Sequence, residues 1–407
     1  MDTAFTRTFA SFKVRNFRLF YLGQSISLCG TWMQTVALSW LVLQMTHSGT
    51  QLGLVLAAQF LPILLFGVWG GVIADRFDKR HILYCTQTAA GLFALALGLL
   101  VVGHHIQLWE VYVLAACLGT ATAIDNPTRQ TFVIEMVGPE YLRNAVTLNS
   151  TLVNVARIVG PSIGGVLIAT TGVGECFLFN AASYVAVLIA LKAMRQSELR
   201  PARTQPRQPG QIKAGFRYVM GEPVLRATLL MMFIIGTFAY EFPVILPLFA
   251  TITLHGSATT YSAMTACMGI GAVCGGLYTA GRGVVGIGVL VRVAAMFGFG
   301  LLLLSLAPGR LGAYIILVLV GALSVLFISL GNATLQLTSR PEMRGRVLSL
   351  WFIAFAGTTP VGGPIIGLIA DHTNPRIGLA TGAIATLLAA YLGMLVGKSH
   401  GRVKETD

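Results

Sequence analysis

The chain has 407 residues, of which 55% are hydrophobic and 11% are charged. An average water-soluble domain has about 25% charged residues. The composition therefore excludes a water-soluble globular enzyme and leaves no segment for a nucleic-acid-binding domain, although the formal net charge is +13.

Long stretches without charged residues recur along the whole chain. Residues 19–74 contain no Asp, Glu, Lys or Arg, and a transmembrane helix needs about 20 apolar residues. Dividing the chain at Gly, Pro and charge clusters predicts an all-α membrane protein with about twelve transmembrane helices. Their predicted ranges are 18–45, 51–74, 81–103, 108–128, 144–170, 176–195, 223–250, 258–280, 286–307, 311–338, 347–370 and 377–397.

The distribution of basic residues predicts the orientation. With the N-terminus inside, 25 of the 28 Lys and Arg residues fall in segments on the cytoplasmic side. Because Lys and Arg are retained in the cytoplasm, both termini are predicted to be cytoplasmic. The net charge then reflects topology, and no nucleic-acid partner is expected.

The sequence lacks the usual patterns of metal and nucleotide chemistry. The six Cys are scattered without a C-x-x-C pair, and neither a Walker loop nor an H-E-x-x-H metal motif occurs. We therefore expect no metal site and no ATP hydrolysis.

An internal repeat divides the chain into two halves. Asn126-Pro-Thr-Arg-Gln130 recurs as Asn332-Ala-Thr-Leu-Gln336, and Gly160-Pro161-Ser-Ile-Gly164 recurs about 203 residues later as Gly363-Pro364-Ile-Ile-Gly367. Each half carries six predicted spans and starts inside, so the repeats are parallel. The predicted organisation is an N-terminal bundle (1–195), a Pro-rich basic cytoplasmic linker (196–222) and a C-terminal bundle (223–407).

This arrangement, together with one loop motif, resembles the major facilitator superfamily. The segment from Gly71 to Arg80 is similar to the superfamily's G-x-x-x-D-[RK]-x-G-[RK]-[RK] signature, with Asp78 in place of Gly. The resemblance implies a gating loop in which the acid meets positive charge or a helix N-terminus when the cytoplasmic side closes. Its residues are Gly71, Asp75, Arg76, Lys79 and Arg80. The alternative is that the basic residues only fix the topology.

A second motif, from Ala156 to Gly165, is similar to the signature of exporters and antiporters in that superfamily. Its small residues and proline predict a kinked helix with a flat face that packs against the other half. The predicted packing residues are Gly160, Pro161, Gly164, Gly165, Gly363, Pro364 and Gly367.

Further short matches, such as Phe17-Arg-Leu-Phe20, resemble the bacterial branch of siderophore exporters and multidrug efflux proteins. This resemblance implies a monomeric exporter in the bacterial inner membrane, not an enzyme. It would move an amphipathic small organic molecule, drug-like or siderophore-like, by proton antiport and alternating access. It would use the proton gradient and no cofactor. A lipid or lysolipid translocator of the same fold remains the alternative.

Few ionisable residues are predicted at membrane depth, and burying one is costly, so each is a candidate for function. Arg157 and Glu241 are predicted at a similar depth, with Pro243 and Pro247 interrupting the helix just beyond Glu241. Glu241 is the first proton-coupling candidate and Asp125 the second. Structural roles are the alternatives, and Asp125 is expected to pair with Arg129 or another cytoplasmic base rather than with substrate.

Polar residues at helical spacing predict the wall of a central cavity. Four of them share one face of the first span, and aromatic or apolar residues of the second half complete the set. The candidates are Gln24, Ser27, Thr31, Gln34, Asn154, Arg157, Phe238, Tyr240, Glu241 and Met264. Hydrogen-bonded helix packing explains such a polar stripe equally well.

Overall fold

The computed structural model describes residues 9–200, 211–281 and 286–404. In this part of the chain the regular structure is helical, without β-strands. The α-helices are α1 (Arg15–Thr46), α2 (Gly49–Arg76), α3 (Lys79–Val102), α4 (Leu108–Thr170), α5 (Val173–Ala193), α6 (Gln211–Gly221), α7 (Pro223–Phe238), α8 (Phe242–Leu248), α9 (Ala258–Gly281), α10 (Ile287–Ser305), α11 (Arg310–Thr338), α12 (Arg344–Ala356), α13 (Thr359–His372) and α14 (Pro375–Lys404).

The predicted all-α membrane fold is confirmed. In the described part of the chain, 11 helical segments are long and apolar enough to cross a membrane. One of them, α4, has 63 residues, about 95 Å at 1.5 Å per residue, which is enough for two spans. Gly138 breaks it with φ 67° and ψ 178°. Predicted spans four and five are therefore joined into one kinked helix.

Two spans are interrupted inside the apolar region. The span Pro223–Thr253 consists of α7, α8 and a π-helical turn, Phe249–Thr253. The span Arg344–His372 consists of α12 and α13, separated at residues 357–358. Irregular backbone at membrane depth is tolerated only where protein or water satisfies it.

The predicted linker is described only in part. The segment 201–210 lies outside the described residues, and α6 follows it directly. The Tyr218 hydroxyl of α6 accepts a hydrogen bond from the Arg340 N–H at 3.1 Å. Part of the predicted linker is therefore a helix that contacts the second half of the chain.

By their contacts the residues fall into two compact units. Unit 1 comprises 1–41 and 58–205, and unit 2 comprises 42–57 and 206–407. Residues 42–57 belong to the first sequence repeat but group with unit 2. The reason is close backbone packing, because a Cβ atom built on Gly367 or Gly53 would overlap the backbone of Gly49 or Gly363, respectively.

Each unit has its own aromatic core. In unit 1, Phe20 and Phe132 are buried and their rings meet edge to face with centroids 5.9 Å apart. In unit 2, Phe249, Phe297 and Phe327 are fully buried. Many large apolar side chains on the helix surfaces are instead exposed, as lipid-facing residues must be.

Candidate functional site

Glu241 lies in a break within the seventh span. α7 ends at Phe238 and α8 begins at Phe242, so Glu241 occupies the N-cap position with φ −80° and ψ 38°. The prediction that Pro243 would interrupt the helix just beyond Glu241 is wrong, since the break precedes Pro243. Proline is tolerated in a first helical turn because the N–H there has no acceptor within the helix. The irregular backbone is therefore at Glu241 itself.

The break lies well inside the span. At 1.5 Å per helical residue, Glu241 is about 27 Å along the chain from Pro223 and about 18 Å from Thr253, the two ends of the apolar segment. It belongs to the middle third, which agrees with its predicted location at membrane depth.

The Glu241 carboxyl is enclosed by α13. The residue is 2% exposed, and the Thr359 side chain of α13 lies next to the carboxyl. A Cβ atom built on Gly362 would lie 2.9 Å from Glu241 Oε1, and one on Gly363 would lie 3.4 Å from Oε2. Only residues without a side chain allow the α13 backbone to approach the carboxyl so closely.

One oxygen of the Glu241 carboxyl has no hydrogen-bond donor among the described residues. Glu241 Oε1 is buried and has no hydrogen-bond partner among the residues that the structure describes. The ion pairs found in those same residues do not include Glu241. A buried carboxylate without a counter-charge costs several kcal/mol, so the neutral form of this carboxyl is the less costly one at this position.

A small cavity adjoins the carboxyl. Its volume is about 10 Å³, roughly the space that one water molecule occupies. The lining residues come from five helices and the break itself: Phe238, Ala239, Glu241, Ile245, Leu301, Ile366, Gly378, Leu379 and Gly382. The predicted cavity residue Phe238 therefore adjoins Glu241, in a space that suits a water or a proton rather than an organic substrate.

Tyr240 and Met264, the other predicted cavity residues of this half, take part in packing. The Tyr240 hydroxyl donates a hydrogen bond to the Ser324 carbonyl oxygen at 2.7 Å. Its ring packs against Phe297 and Phe355, with centroids 5.6 and 5.4 Å away. Met264 is fully buried. In this structure both side chains belong to the interior of unit 2.

In unit 1, the polar stripe of α1 faces neighbouring helices. The Gln24 Oε1 accepts a hydrogen bond from Arg129 at 3.0 Å, and the Gln34 Oε1 accepts one from Asn180 at 2.5 Å. The Thr31 hydroxyl donates to the Ser27 carbonyl within α1. Gln24, Ser27 and Gln34 are buried, so hydrogen-bonded helix packing accounts for their contacts.

Asp125, the second proton-coupling candidate, is fully compensated. Its Oδ2 pairs with Arg129 at 2.9 Å, as the sequence predicted. Its Oδ1 accepts hydrogen bonds from Thr86 at 2.8 Å and Gln87 at 2.7 Å. Donors therefore contact both oxygens of this carboxylate.

Arg157 and Asn154 lie on the α4 face near α1. The Arg157 guanidinium stacks over the Trp32 ring, 4.9 Å from its centroid, a typical cation–π distance. The Asn154 side chain donates to the Ser150 carbonyl within its own helix. Arg157 belongs to unit 1 and Glu241 to unit 2, so their pairing stays a prediction.

The charged residues at the loop between α2 and α3 contact several different partners. Lys79 is buried and pairs with Glu135 of α4 at 2.6 Å, while Arg80 donates to the Leu191 carbonyl near the end of α5 at 2.9 Å. Two basic residues of the motif therefore have structural partners within unit 1. Asp75 and Arg76 form the end of α2.

Asp78, which stands where the superfamily has glycine, caps α3. Its carboxylate accepts a hydrogen bond from the His81 N–H at 2.9 Å. Partial burial opposes ionisation, but the hydrogen bonds and the charge of His81 outweigh it and lower the pKa of Asp78. The substitution thus supplies a helix cap.

The glycine motifs make close helix contacts in both units. A Cβ atom on Gly160 would lie 2.6 Å from the Cys29 carbonyl oxygen, and one on Gly164 would lie 3.2 Å from the Met33 side chain. These neighbours belong to α1 of the same unit, rather than to the opposite half. Backbone angles stay helical through Pro161, because the residue that departs from them in α4 is Gly138.

In the second repeat, Gly363 and Gly367 of α13 instead pack against Gly53 and Gly49 of α2, which belongs to the first repeat. Gly165 and Gly363 are buried within their helices, as is Gly71 in α2. The preceding residue, Gly70, brings α2 close to α4, since its Cβ atom would overlap the Ala123 carbonyl oxygen. The sequence motif therefore identified the contact region but not the contacting residue.

Two polar residues with clear roles were not identified from the sequence. Glu135 is the partner of Lys79, and Asp371 caps the start of α2 from α13. Both lie outside the predicted spans, near predicted helix ends. Charged residues are common there, so these two were not selected as candidates. A search for acids four residues beyond a small-residue motif, as in Gly363-x3-Gly367-x3-Asp371, would have found the second.

Comparison with curated proteins gives relatives along almost the whole chain. The chain is 26% identical to the staphyloferrin A transporter of Staphylococcus aureus, over 87% of this chain and 89% of the relative. It is 27% identical to the enterobactin exporter of Citrobacter koseri, over 93% and 91%. The corresponding exporter of Escherichia coli is 25% identical over 96% and 94%.

Solved structures share the fold. A bacterial homologue of the human lysosomal transporter Spinster, inward-facing and unoccupied, superposes with a TM-score of 0.75, covering 94% of this chain and 96% of that one at 15% identity. A transporter of the POT family gives a TM-score of 0.76, with 95% and 96% coverage at 10% identity.

The sequence model of one transporter family accounts for nearly all residues. The family described as "transmembrane secretion effector" matches residues 6–404, and the relatives and structural neighbours are transporters. The apolar helices make it a multi-pass protein of the bacterial inner membrane. The chain belongs to the transmembrane secretion effector family of the major facilitator superfamily.

Proposed function

We propose that this chain is a proton-driven exporter of a small organic molecule of the siderophore kind, and that Glu241 is its proton site. The observation that carries the proposal is the buried Glu241 carboxyl, whose Oε1 has no partner among the described residues and which lies beside a cavity of about 10 Å³. The names of the relatives support the substrate class.

The energetics favour exchange of a proton at this carboxyl. A lone buried carboxylate is costly, and protonation removes the charge at once. A water in the adjoining cavity would accept or deliver the proton when one side of the membrane gains access. In alternating access, proton entry from outside and substrate release would then use opposite charge states of Glu241.

The loop that ends α2 has a separate role in this proposal. Asp75 would help to close the cytoplasmic side, whereas Lys79 and Arg80 hold the loop on unit 1. Asp75→Asn is expected to reduce transport at an unchanged protein level. Normal transport by this variant would reject the gating role and leave the proton site unaffected.

The decisive experiment uses purified protein in liposomes with an imposed pH gradient. Iron-free enterobactin and staphyloferrin A serve as probes, together with an efflux dye and a labelled phospholipid. Glu241→Gln should lose transport against a gradient and keep downhill exchange, whereas Glu241→Asp should keep part of the coupling. Glu110→Gln is the matched control, because Glu110 caps α4 at the surface, where Gln also caps.

Each outcome has a definite meaning. Uphill transport by Glu241→Gln with an unaltered pH dependence would reject Glu241 as the proton site. Movement of the labelled lipid without movement of the other probes would replace the exporter by a lipid translocator, the alternative that the sequence left open.

A further inference from the structure

Asp371 joins the two sequence repeats at one end of the helices. Its Oδ1 accepts a hydrogen bond from the Gly49 N–H at 2.6 Å, and its Oδ2 accepts one from the Thr50 N–H at 2.9 Å. The Ser48 and Thr50 hydroxyls also donate to Oδ2, at 2.6 and 2.7 Å. One carboxylate at the end of α13 thus binds the first residues of α2.

The start of α2 is suited to an anion. The first turn of α2 contains no acidic residue, and its free N–H groups carry partial positive charge. The local cap is weak, because the Ser48 hydroxyl accepts from the Gln51 N–H at 3.3 Å. Asp371 supplies the negative charge from 322 residues away in sequence.

The same two helices are in backbone contact below this carboxylate. On α13 the residues Gly363, Gly367 and Asp371 follow one another at intervals of four and so share a face. On α2, Gly49 faces Gly367 and Gly53 faces Gly363, with no room for a Cβ atom at these contacts. The helices therefore cross antiparallel, and Asp371 closes the end of the crossing.

The crossing also adjoins the buried acid. A Cβ atom on Gly363 would lie 3.2 Å from the Gly53 carbonyl oxygen and 3.4 Å from Glu241 Oε2. The space beside Gly363 is therefore bounded both by the Gly53 backbone of α2 and by the Glu241 carboxyl. A change in the charge or hydration of Glu241 acts directly next to the contact with α2.

We infer that Asp371, Gly363 and Gly367 form a latch that holds α2 on α13 at the predicted outer end, and that Glu241 controls this latch through Gly363. In transporters built from repeats, one repeat moves against the other, and this crossing joins segments of different repeats. The latch must therefore open whenever the outer side opens. The carboxylate is partly exposed to water, which can replace its hydrogen bonds during opening. The control by Glu241 rests on the proposed function; the latch does not.

The test measures how often the crossing opens. Leu56 follows Gly53 on the same face of α2 and is 3% exposed, so Leu56→Cys reports opening through labelling by a membrane-impermeant thiol reagent applied outside. Peptide mass spectrometry at position 56 separates this signal from the native cysteines. Asp371→Asn, Asp371→Glu and Asn374→Ala are compared in the Leu56→Cys background.

Asp371→Asn should raise the labelling rate about threefold to tenfold, as expected for the loss of an anion at a helix N-terminus together with its charged hydrogen bonds. Asp371→Glu should restore part of the protection, because it keeps the carboxylate. Asn374→Ala removes a local cap at the same end of the chain, where Asn374 accepts from the Arg376 N–H at 2.8 Å, and should label like the parent. Labelling of Asp371→Asn at the parent rate would overturn the latch.

A further variant separates the latch from the proton site. Glu241→Gln in the same background should change the labelling rate and remove the pH dependence that remains after correction for the reactivity of the thiol itself. If it changes neither, the control through Gly363 is wrong, even where uphill transport is lost. If Asp371→Asn raises the labelling while Glu241→Gln still drives uphill transport, the latch stands and the proposed proton site falls.

Discussion

The two units treat buried acids in opposite ways. In unit 1, Asp125 has a basic partner and two further donors, and Glu135 is paired with Lys79 at 2.6 Å. In unit 2, Glu241 is equally buried, yet it has no basic partner among the described residues and keeps one oxygen without a hydrogen bond. An acid that is paired with a base and with hydrogen-bond donors stabilises one arrangement of helices. An acid without a basic partner is suited to change its charge.

The largest expected effect comes from breaking a compensated pair. Lys79→Ala removes the ion-pair partner of the buried Glu135 carboxylate, and removal of one partner of a buried ion pair costs about 3–5 kcal/mol. Thermal and denaturant unfolding in detergent would measure the loss. The double variant Lys79→Met, Glu135→Leu should recover most of it, since an apolar pair of similar volume replaces the ion pair. A double variant as unstable as Lys79→Ala would show that the loop needs the charge itself.

The second prediction compares the two units directly. Asp125→Asn should destabilise unit 1 by about 2 kcal/mol, because Arg129 loses its counter-charge while Gln24 and Asn126 still accept from it. Glu241→Gln should change the free energy of unfolding by less than about 1 kcal/mol, since no ion pair is lost. The same unfolding experiment measures both variants. Equal losses of stability in the two variants would show that Asp125 and Glu241 do not differ in their contribution to folding.

The sequence predicted the fold because membrane helices are specified by composition. Apolar stretches, the repeat and the loop motif follow from local features, and the span from Leu108 to Thr170 differs from expectation only by the continuous helix around Gly138. Glu241 could be selected because acids are rare at membrane depth. The sequence placed the helix break one turn too late, because proline within a first helical turn was read as an interruption.

The hydrogen-bond partners that are distant in sequence could not be predicted for the polar residues. Gln24 and Gln34 are polar residues on one face whether that face meets water or another helix, and only the positions of Arg129 and Asn180 decide between the two. The partners of Asp371 were not predictable for the same reason, since Ser48 to Thr50 are more than 300 residues away. Long-range pairing depends on how the helices are placed, which periodicity does not encode.

The third prediction compares the close helix packing within unit 1 with the close helix packing within unit 2. Gly160→Ala places a methyl group 2.6 Å from the Cys29 carbonyl oxygen, and such overpacking costs about 1–3 kcal/mol. Because these neighbours belong to one unit, stability should fall while the labelling rate of Leu56→Cys stays at the parent value. Gly367→Ala should instead raise that labelling rate. The comparison fails if both variants alter the labelling rate alike.

The smallest expected effect concerns the polar stripe of α1. Gln34→Met keeps the length and volume of the side chain but removes the acceptor of the Asn180 amide. Interhelical hydrogen bonds in membrane proteins contribute about 0.6 kcal/mol on average and rarely more than about 1.7. A stability loss of that size with unchanged transport is therefore expected, and Thr35→Val on the neighbouring position serves as the control, since Thr35 bonds only within α1. If Gln34→Met leaves stability intact but alters which probe is transported, the stripe lines the substrate path, and unit 1 provides more than the rigid support against which Glu241 works.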